Sequence, residues 1–410
     1  MAGPLSKIEA EALFESSAAQ TAKATAATPD SFSLGQVILP ALDSPSLKSL
    51  ARIAQVGAGV TLEDLSAKWA GFGRAFGGAD GFPVGGYDVI VARLADEVRE
   101  AGGTIRLGEE VVKVEDLGVG KGVRVRTRQG DAYEAKTVLS TLPLGVLQNV
   151  DEAFFAPALS APLASAIERT TVGTLEKIIL SYDAAWWPEP DAHGTYILLP
   201  TVTDGSTPTS LSGLFSRTTI PVMNFVHSGT SAHATLLAYV GATAGVFLAS
   251  YSAEDQALAM HKYLIARLAP KQDPPAFATY EVTSWLTDPF SRGATSAPTT
   301  LARSADGVQA SPLDLVVLGR SEWDGRLGFA GEHTELVSSR SRLKAWRCVI
   351  SRTIADQVAV CGAGHSGIGR GGGGQWPTRG PQAGRTPLAH LKPTNRARLP
   401  VAKLESQYRT

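Results

Sequence analysis

Lys177 is the first residue in this chain whose type and place could do chemistry. It stands between Leu175 and the run Ile178-Ile179-Leu180, where an ammonium either faces solvent by strand alternation or is held in a drier site at some cost. Alternation alone puts it on the outer face of a strand. A second candidate is the run Gly362-Ala363-Gly364-His365-Ser366-Gly367, which follows Val358-Ala359-Val360. A dinucleotide turn needs a helix after it, whose N-terminal amides face a pyrophosphate, and an acidic residue about 20 positions later. Here Gly371 to Gly374 and Trp376-Pro377 follow, and Asp and Glu are absent until Glu405. The run therefore reads as glycine-rich composition. Seven histidines, from His193 to His390, form no metal-spaced pair, and no GxSxG elbow offers a serine nucleophile. The two cysteines, Cys348 and Cys361, make neither a zinc set nor a disulfide framework. No metal site is predicted.

These residues must be placed by ordered elements, and the pattern supplies several. Leu47, Leu50, Ala51 and Ala54 fall at helical spacing, and Thr61-Leu62-Glu63-Asp64 has the form of a capping box. Ile90, Leu94 and Val98 give a helix one apolar face, which Gly102-Gly103 end. Thr104 to Leu107 and Val111 to Val114 read as strand, Val123 and Val125 alternate with Arg124 and Arg126, Gly130 turns the chain, and Thr137 to Ser140 is a short strand. Helix, strand, hairpin and strand in that order suggest half of an α/β nucleotide-binding domain.

The Lys177 strand leads into Trp186-Trp187-Pro188, followed by a Ser/Thr-rich stretch from Thr201 to Ser216. Ser252 and Asp255 cap an amphipathic helix whose Leu258, His261, Ile265 and Leu268 share a face. Trp285 precedes the turn signal Asp288-Pro289. Leu315 to Leu318 and Leu327 to Ala330 read as buried strands, the second ending in Gly331-Glu332-His333-Thr334.

Composition bounds the whole. The 410 residues are 44% hydrophobic and 19% charged with a net charge of -1, which excludes a wholly disordered or nucleic-acid-coating chain. That total hides a split: the residues from Val337 onward carry +11 and those before it -12. The stretch from Gly362 to Gly384 holds ten glycines, and such a tail cannot bury enough surface to offset its chain entropy. It is expected to be disordered. Nucleic-acid binding through it would have charge but no fold or aromatic platform behind it.

Met1 to Phe14 lacks the apolar block of a secretory signal. Ala234 to Ala253 is uncharged, but Gly241, Thr243, Gly245, Ser250 and Ser252 make it a strand from Thr235 to Val240, a glycine turn and a short helix rather than a membrane span. A soluble intracellular protein is expected.

Gly331-Glu332-His333-Thr334 after an apolar strand, Thr141-Leu142-Pro143-Leu144-Gly145-Val146-Leu147, Lys177 in Glu176-Lys177-Ile178 before Trp186-Trp187-Pro188, and Trp285 before Asp288-Pro289 occur in this order. Together they resemble the FAD-dependent amine oxidases over roughly Gly57 to Leu336, with polyamine oxidases and the amine oxidase domain of lysine-specific histone demethylases most similar. The resemblance implies that Glu332 accepts hydrogen bonds from the ribityl hydroxyls of FAD and that Gly331 lets the backbone approach it. Val111 matches the residue whose main chain meets the adenine, and Thr141 and Pro143 match a loop near the same half of the cofactor.

Lys177 matches the active-site lysine that holds a water near flavin N5, and Trp285 the aromatic residue beside the isoalloxazine ring. Residues from Val172 to Trp285 should line the amine pocket. The implied reaction removes a hydride from the carbon next to a neutral amine of small-amine or polyamine type. The imine hydrolyses, and molecular oxygen leaves as hydrogen peroxide.

The implied fold is α/β and α+β, an incomplete two-domain flavin amine oxidase fold. Its expected parts are a helical portion of the substrate domain over 1–76, a partial FAD-binding domain over 77–150, a mixed-sheet substrate domain over 151–300, a return to the FAD-binding domain over 301–336, and an atypical tail over 337–410. No strand, GxGxxG turn and helix precede Val111, so the chain reads as N-terminally truncated. Val337-Ser338-Ser339-Arg340 departs from the family where a glycine turn and helix are expected, as a shifted reading frame or a retained intron would produce. An inactive relative that serves as a binding or interaction module is the second reading these residues leave open.

Overall fold

The computed structural model describes residues 31–69, 86–188, 194–226 and 234–334, the single positions Ala12 and Ser16, and the backbone of Val358–Gly362. The atypical tail, apart from that short strand, lies outside the described residues, as do Val337-Ser338-Ser339-Arg340 and Ala363 to Gly367.

Alternating valines build the first sheet. Strand β1 (Val111–Gly118) pairs antiparallel with β2 (Gly122–Thr127), which pairs with β3 (Ala132–Ala135). Val114, Val123 and Val125 point inward while Arg126 stays out and pairs with Glu115. The two-residue β5 (Phe155–Ala156) adds to β1 in parallel, giving the order β3-β2-β1-β5.

Strand β4 (Thr137–Thr141) begins a second, parallel sheet with β13 (Leu327–Phe329) on one side and β14 (Val358–Gly362) on the other. Val138, Leu327 and Phe329 join Val114, Val123 and Leu163 in one apolar core. Val358-Ala359-Val360, ahead of the glycine run, thus form a strand in this sheet, with Gly362 opposite Thr141.

The largest sheet has the order β11-β7-β10-β9-β8: β11 (Thr279–Val282), β7 (Leu175–Tyr182), β10 (Ala234–Gly241), β9 (Ile220–Asn224) and β8 (Gly194–Leu198), all antiparallel. One face is dry. Ile178, Leu180, Val222, Leu236 and Val240 pack there against Met260 and Leu264 of the helix Ala253–Leu268 and Phe215 of the helix Leu211–Phe215. The ribbon of β6 (Thr171–Gly173) and β12 (Thr295–Ala297) stands between the two larger sheets in sequence, since β6 runs directly into β7. The stretch Ala234 to Ala253 forms the strand Ala234–Gly241 and the helix Ala242–Leu248 as its composition implies, the change falling at Gly241 with no separate turn between them. Among the described residues no helix is long and apolar enough to cross a membrane.

Several elements differ from their sequence pattern, each for a tertiary reason. Leu315 to Leu318 is helical, within Leu313–Leu318. Pro312 and Gly319 bracket it, and Leu315 and Leu318, three apart, are its buried pair. Thr104 to Leu107 is not a strand: no described strand pairs with it, and Leu107 is 85% exposed. Thr61 and Asp64 do bond, Asp64 N–H to Thr61 Oγ1 and Thr61 hydroxyl to the Asp64 carboxylate, but they close a turn instead of opening an α-helix.

In the helix Ala253–Leu268, Ser252 accepts from the Asp255 amide as expected. Its buried face, however, is Gln256, Ala257, Met260 and Leu264, and Leu258 points out. The helix Asp88–Glu100 forms and ends at Gly102, whose φ is +83°. Its apolar stripe is nevertheless open, with Ile90 44% and Leu94 56% exposed, because none of the described residues packs over it closely enough to bury a side chain.

Candidate functional site

The parallel sheet brings two expected cofactor elements together. Phe329 of β13 pairs with Ser140 of β4, and the Ala330 amide donates to the Ser140 carbonyl at 2.9 Å. Thr141-Leu142-Pro143 and Gly331-Glu332 therefore leave adjacent strands at the same carboxyl edge, the edge where open parallel sheets receive nucleotides. β14 ends at that edge too, at Gly362; Ala363 to Gly367 lie outside the described residues. Val111 opens β1 in the neighbouring sheet, opposite Thr127, and no pairing joins it to this edge.

Glu332 is exposed at the edge, and its carboxylate accepts from the Ser296 hydroxyl of β12. A carboxylate already oriented to accept from a hydroxyl has the chemistry that a sugar-alcohol chain requires, so this edge fits the polyhydroxyl part of a flavin nucleotide. Gly331 has a reason beyond backbone approach. A Cβ there would stand 2.5 Å from Cε1 of His333, so the ring beneath it requires glycine. His333 is buried, and desolvation pushes its imidazole down to about 4.

In the folded state His333 thus binds fewer protons than in the unfolded chain, whose value is about 6.5. Stability present above that value is lost as pH falls toward the folded value, by up to about 1.4 kcal/mol per unit. Urea unfolding at about pH 7 and about pH 4.5 is expected to show a smaller difference in His333→Gln than in the parent chain. Equal differences would refute this.

Lys177 and Trp285 are linked through a residue the sequence did not single out. Along β7 the side chains alternate, with Glu176, Ile178, Leu180 and Tyr182 buried and Lys177, Ile179 and Ser181 half-buried on the other face. Lys177 therefore lies on the face away from the dry core, as alternation implies. There its ammonium sits 5.9 Å from the ring centre of Tyr239, its direct partner on β10. Burial pushes the Tyr239 phenol up, and its hydroxyl reaches Met223 Sδ at 3.3 Å. Glu281, opposite Ile179, shares this face.

On the inner side, Glu176 is 3% exposed and accepts from the Thr283 hydroxyl at 2.6 Å and from the amides of Trp285 and Leu286, each at 3.1 Å. The Lys177 amide in turn donates to Thr283 Oγ1 at 2.8 Å.

The Trp285 turn also meets the helix that follows the Thr141-Pro143 loop at that carboxyl edge. The Trp285 carbonyl accepts from the Ser291 hydroxyl and the Gly293 amide. The loop continues to Ser291 and Arg292, whose carbonyls lie where a Cβ on Gly145 would stand. Gly145 belongs to the short helix Leu144–Leu147 that Pro143 begins, so only glycine lets this loop and that helix touch.

A cleft of about 670 Å3 lined by Leu147, Asp151, Phe155 and Glu168 borders the far end of that short helix and contains neither Lys177, Trp285 nor Glu332. Among the described residues no cluster of three or more His, Cys, Asp or Glu could hold a metal. Glu176, Tyr239 and Thr283 fall inside the stretch expected to line the pocket but had no individual role in the sequence reading, and Ser296 lies outside it. Only Glu176 carried a signal, since alternation that turns Lys177 out must turn Glu176 in.

The family described as flavin containing amine oxidoreductase matches residues 28–338. Among curated proteins, the chain is 28% identical over 260 residues to a corticosteroid-binding protein of Candida albicans, covering 61% of this chain and 51% of that one. It is 29% identical over 253 residues to human lysine-specific histone demethylase 2, covering 61% and 27%, and 36% identical over 118 residues to polyamine oxidase 4 of Oryza sativa subsp. japonica, covering 28% and 22%. The chain thus spans about half the length, or less, of these relatives.

Among solved structures, cyclohexylamine oxidase from Brevibacterium oxydans IH-35A aligns with a TM-score of 0.56 at 18% identity, over 80% of this chain and 68% of that one, which is a likeness of fold. With three quarters of its length matched and the parallel-sheet edge and a five-stranded sheet, antiparallel throughout and not mixed as expected, in place, the chain belongs to the flavin-containing amine oxidoreductases.

Proposed function

We propose that this chain oxidises the C–N bond of a small amine or polyamine to an imine, with FAD as cofactor and oxygen as the final electron acceptor. The observation that carries this reading is the hydrogen-bonded route between two expected sites. Glu176 and Thr283 join the Lys177 strand to the Trp285 turn, and that turn packs on Gly145 beside the Thr141-Pro143 loop.

Bound at the carboxyl edge of the parallel sheet, FAD would supply the acceptor for the two electrons leaving the amine, and oxygen, becoming hydrogen peroxide, would carry them away. Glu332 is the residue suited to accept from its hydroxyls. Lys177 presents its ammonium on the half-buried sheet face, which disfavours a second ammonium beside it and so selects a neutral amine at the reacting position. It is also the donor that would hold a water. Tyr239 gives that face an aromatic wall. Glu281 gives it a carboxylate one residue pair away, a partner for a second, protonated amino group, and this favours polyamines over monoamines.

The test is the visible spectrum of purified 1–410 with and without added FAD, followed by peroxide release over a panel of mono-, di- and polyamines. Flavin bands that co-elute with protein and turnover that is highest with polyamines are expected. A protein that gains no flavin and releases no peroxide would overturn the proposal in favour of a non-catalytic binding module.

A further inference from the structure

We infer that Glu176 is a positioning residue for this reaction: its buried carboxylate fixes the Trp285 turn and the Lys177 strand in one register. The inference rests on the amine oxidase reading for its catalytic consequence but stands on local geometry. Three donors converge on the carboxylate, the Thr283 hydroxyl, the Trp285 amide and the Leu286 amide, and none is a cation. A buried carboxylate met by neutral donors alone is costly unless all of them stay in place. Its geometry is therefore specified as tightly as that of the turn it holds.

Packing alone would not hold this turn. Behind it lies a cavity of about 250 Å3, lined by Glu176, Leu248, Tyr251, Gln256, Thr283 and Leu286. Side chains of a turn backed by open volume can shift into it, because no close-packed neighbour resists. Glu176 supplies the resistance in another form. Its Oε2 accepts from Thr283 and Trp285 and its Oε1 from Leu286, so displacing the Trp285-Leu286 turn removes both backbone donors and leaves Oε1 unmet.

Thr283 makes the arrangement two-sided. Its hydroxyl donates to Glu176 and accepts from the Lys177 amide, and its own amide donates to the Lys177 carbonyl at 3.0 Å. A shift of the turn is thus a shift of the strand residue that carries the ammonium. A misplacement of about 1 Å at a reacting centre costs up to a hundredfold in rate without changing what binds.

The experiment compares the full chain with Glu176→Gln, Thr283→Val and Thr283→Ser, by hydrogen exchange over 283–293 and by steady-state amine oxidation. Glutamine keeps the shape but places an amino group against an amide donor. The expected result is exchange about tenfold faster at Trp285 and Leu286 in Glu176→Gln, with exchange in β10 and the flavin content unchanged, and kcat lowered about tenfold at constant KM. Thr283→Val should follow it, and Thr283→Ser, which keeps the hydroxyl, should restore both readouts. Should Glu176→Gln not fold, the Thr283 pair decides, since it removes one donor only.

Unchanged exchange at these amides overturns the inference, as does faster exchange with kcat intact. A chain that binds no flavin and turns over no amine overturns the oxidase reading, and the exchange result then decides the clamp by itself.

Discussion

Lys177→Met is expected to lower amine turnover by about a hundredfold or more, the range lost when a positioned proton-handling group is removed, while flavin content and unfolding midpoint stay at parental values. The separation of the two effects follows from where the side chain lies. Lys177 is on the half-buried face of β7, and its ammonium approaches the Tyr239 ring on the side of the sheet away from the dry core. Methionine keeps the unbranched stem that covers the sheet and deletes only the charged donor. Loss of stability would place Lys177 among structural residues, and unaltered turnover would remove it from the site. Measured together, peroxide release, flavin absorbance and thermal unfolding distinguish these outcomes.

Local pattern located the Lys177 strand, the Val123 hairpin, the strand and helix from Ala234 and the Ser252 cap, because each is decided by residues within one element. Patterns failed where the deciding contact is distant. Leu315 to Leu318 is apolar enough for a buried strand, and only its packing against the helix Ala161–Arg169 makes the three-residue spacing visible. The stripe of Ile90, Leu94 and Val98 is helical as read, yet burial depends on a neighbour that local sequence does not name. For the glycine run, the absent helix and acid argued against a cofactor turn, but the strand before it pairs with β4 more than two hundred positions away. At the site the same limit appears in Thr283, 106 positions from the Lys177 amide it accepts from. Motifs named the candidate residues; of those that hold them, Glu176 left a trace in the strand alternation, and Thr283 was legible only through long-range hydrogen bonds.

Asp314→Ala is expected to destabilise the fold by about 3–5 kcal/mol, a large share of the roughly 5–15 kcal/mol that holds a domain together. Asp314 lies in the first turn of the helix Leu313–Leu318, and its Oδ1 accepts from both Nε and Nη2 of Arg169, at 3.0 and 2.6 Å. The side chains are 3% and 10% exposed. Asp314 Oδ2 accepts from the Ser311 amide, which fixes the start of the helix, while Arg169 Nη1 donates to Ser165.

Removing the carboxylate leaves a guanidinium without its counter-charge between two helices, and that uncompensated charge, rather than the lost attraction, sets the size of the effect. The double variant Asp314→Leu with Arg169→Met removes both charges and is expected to recover most of the loss, since apolar replacement of a whole buried pair is often neutral. A double variant as unstable as Asp314→Ala would instead assign the cost to the Ser311 and Ser165 bonds. Urea denaturation of the three proteins decides between the charge and its hydrogen bonds as what joins these helices beneath the parallel sheet.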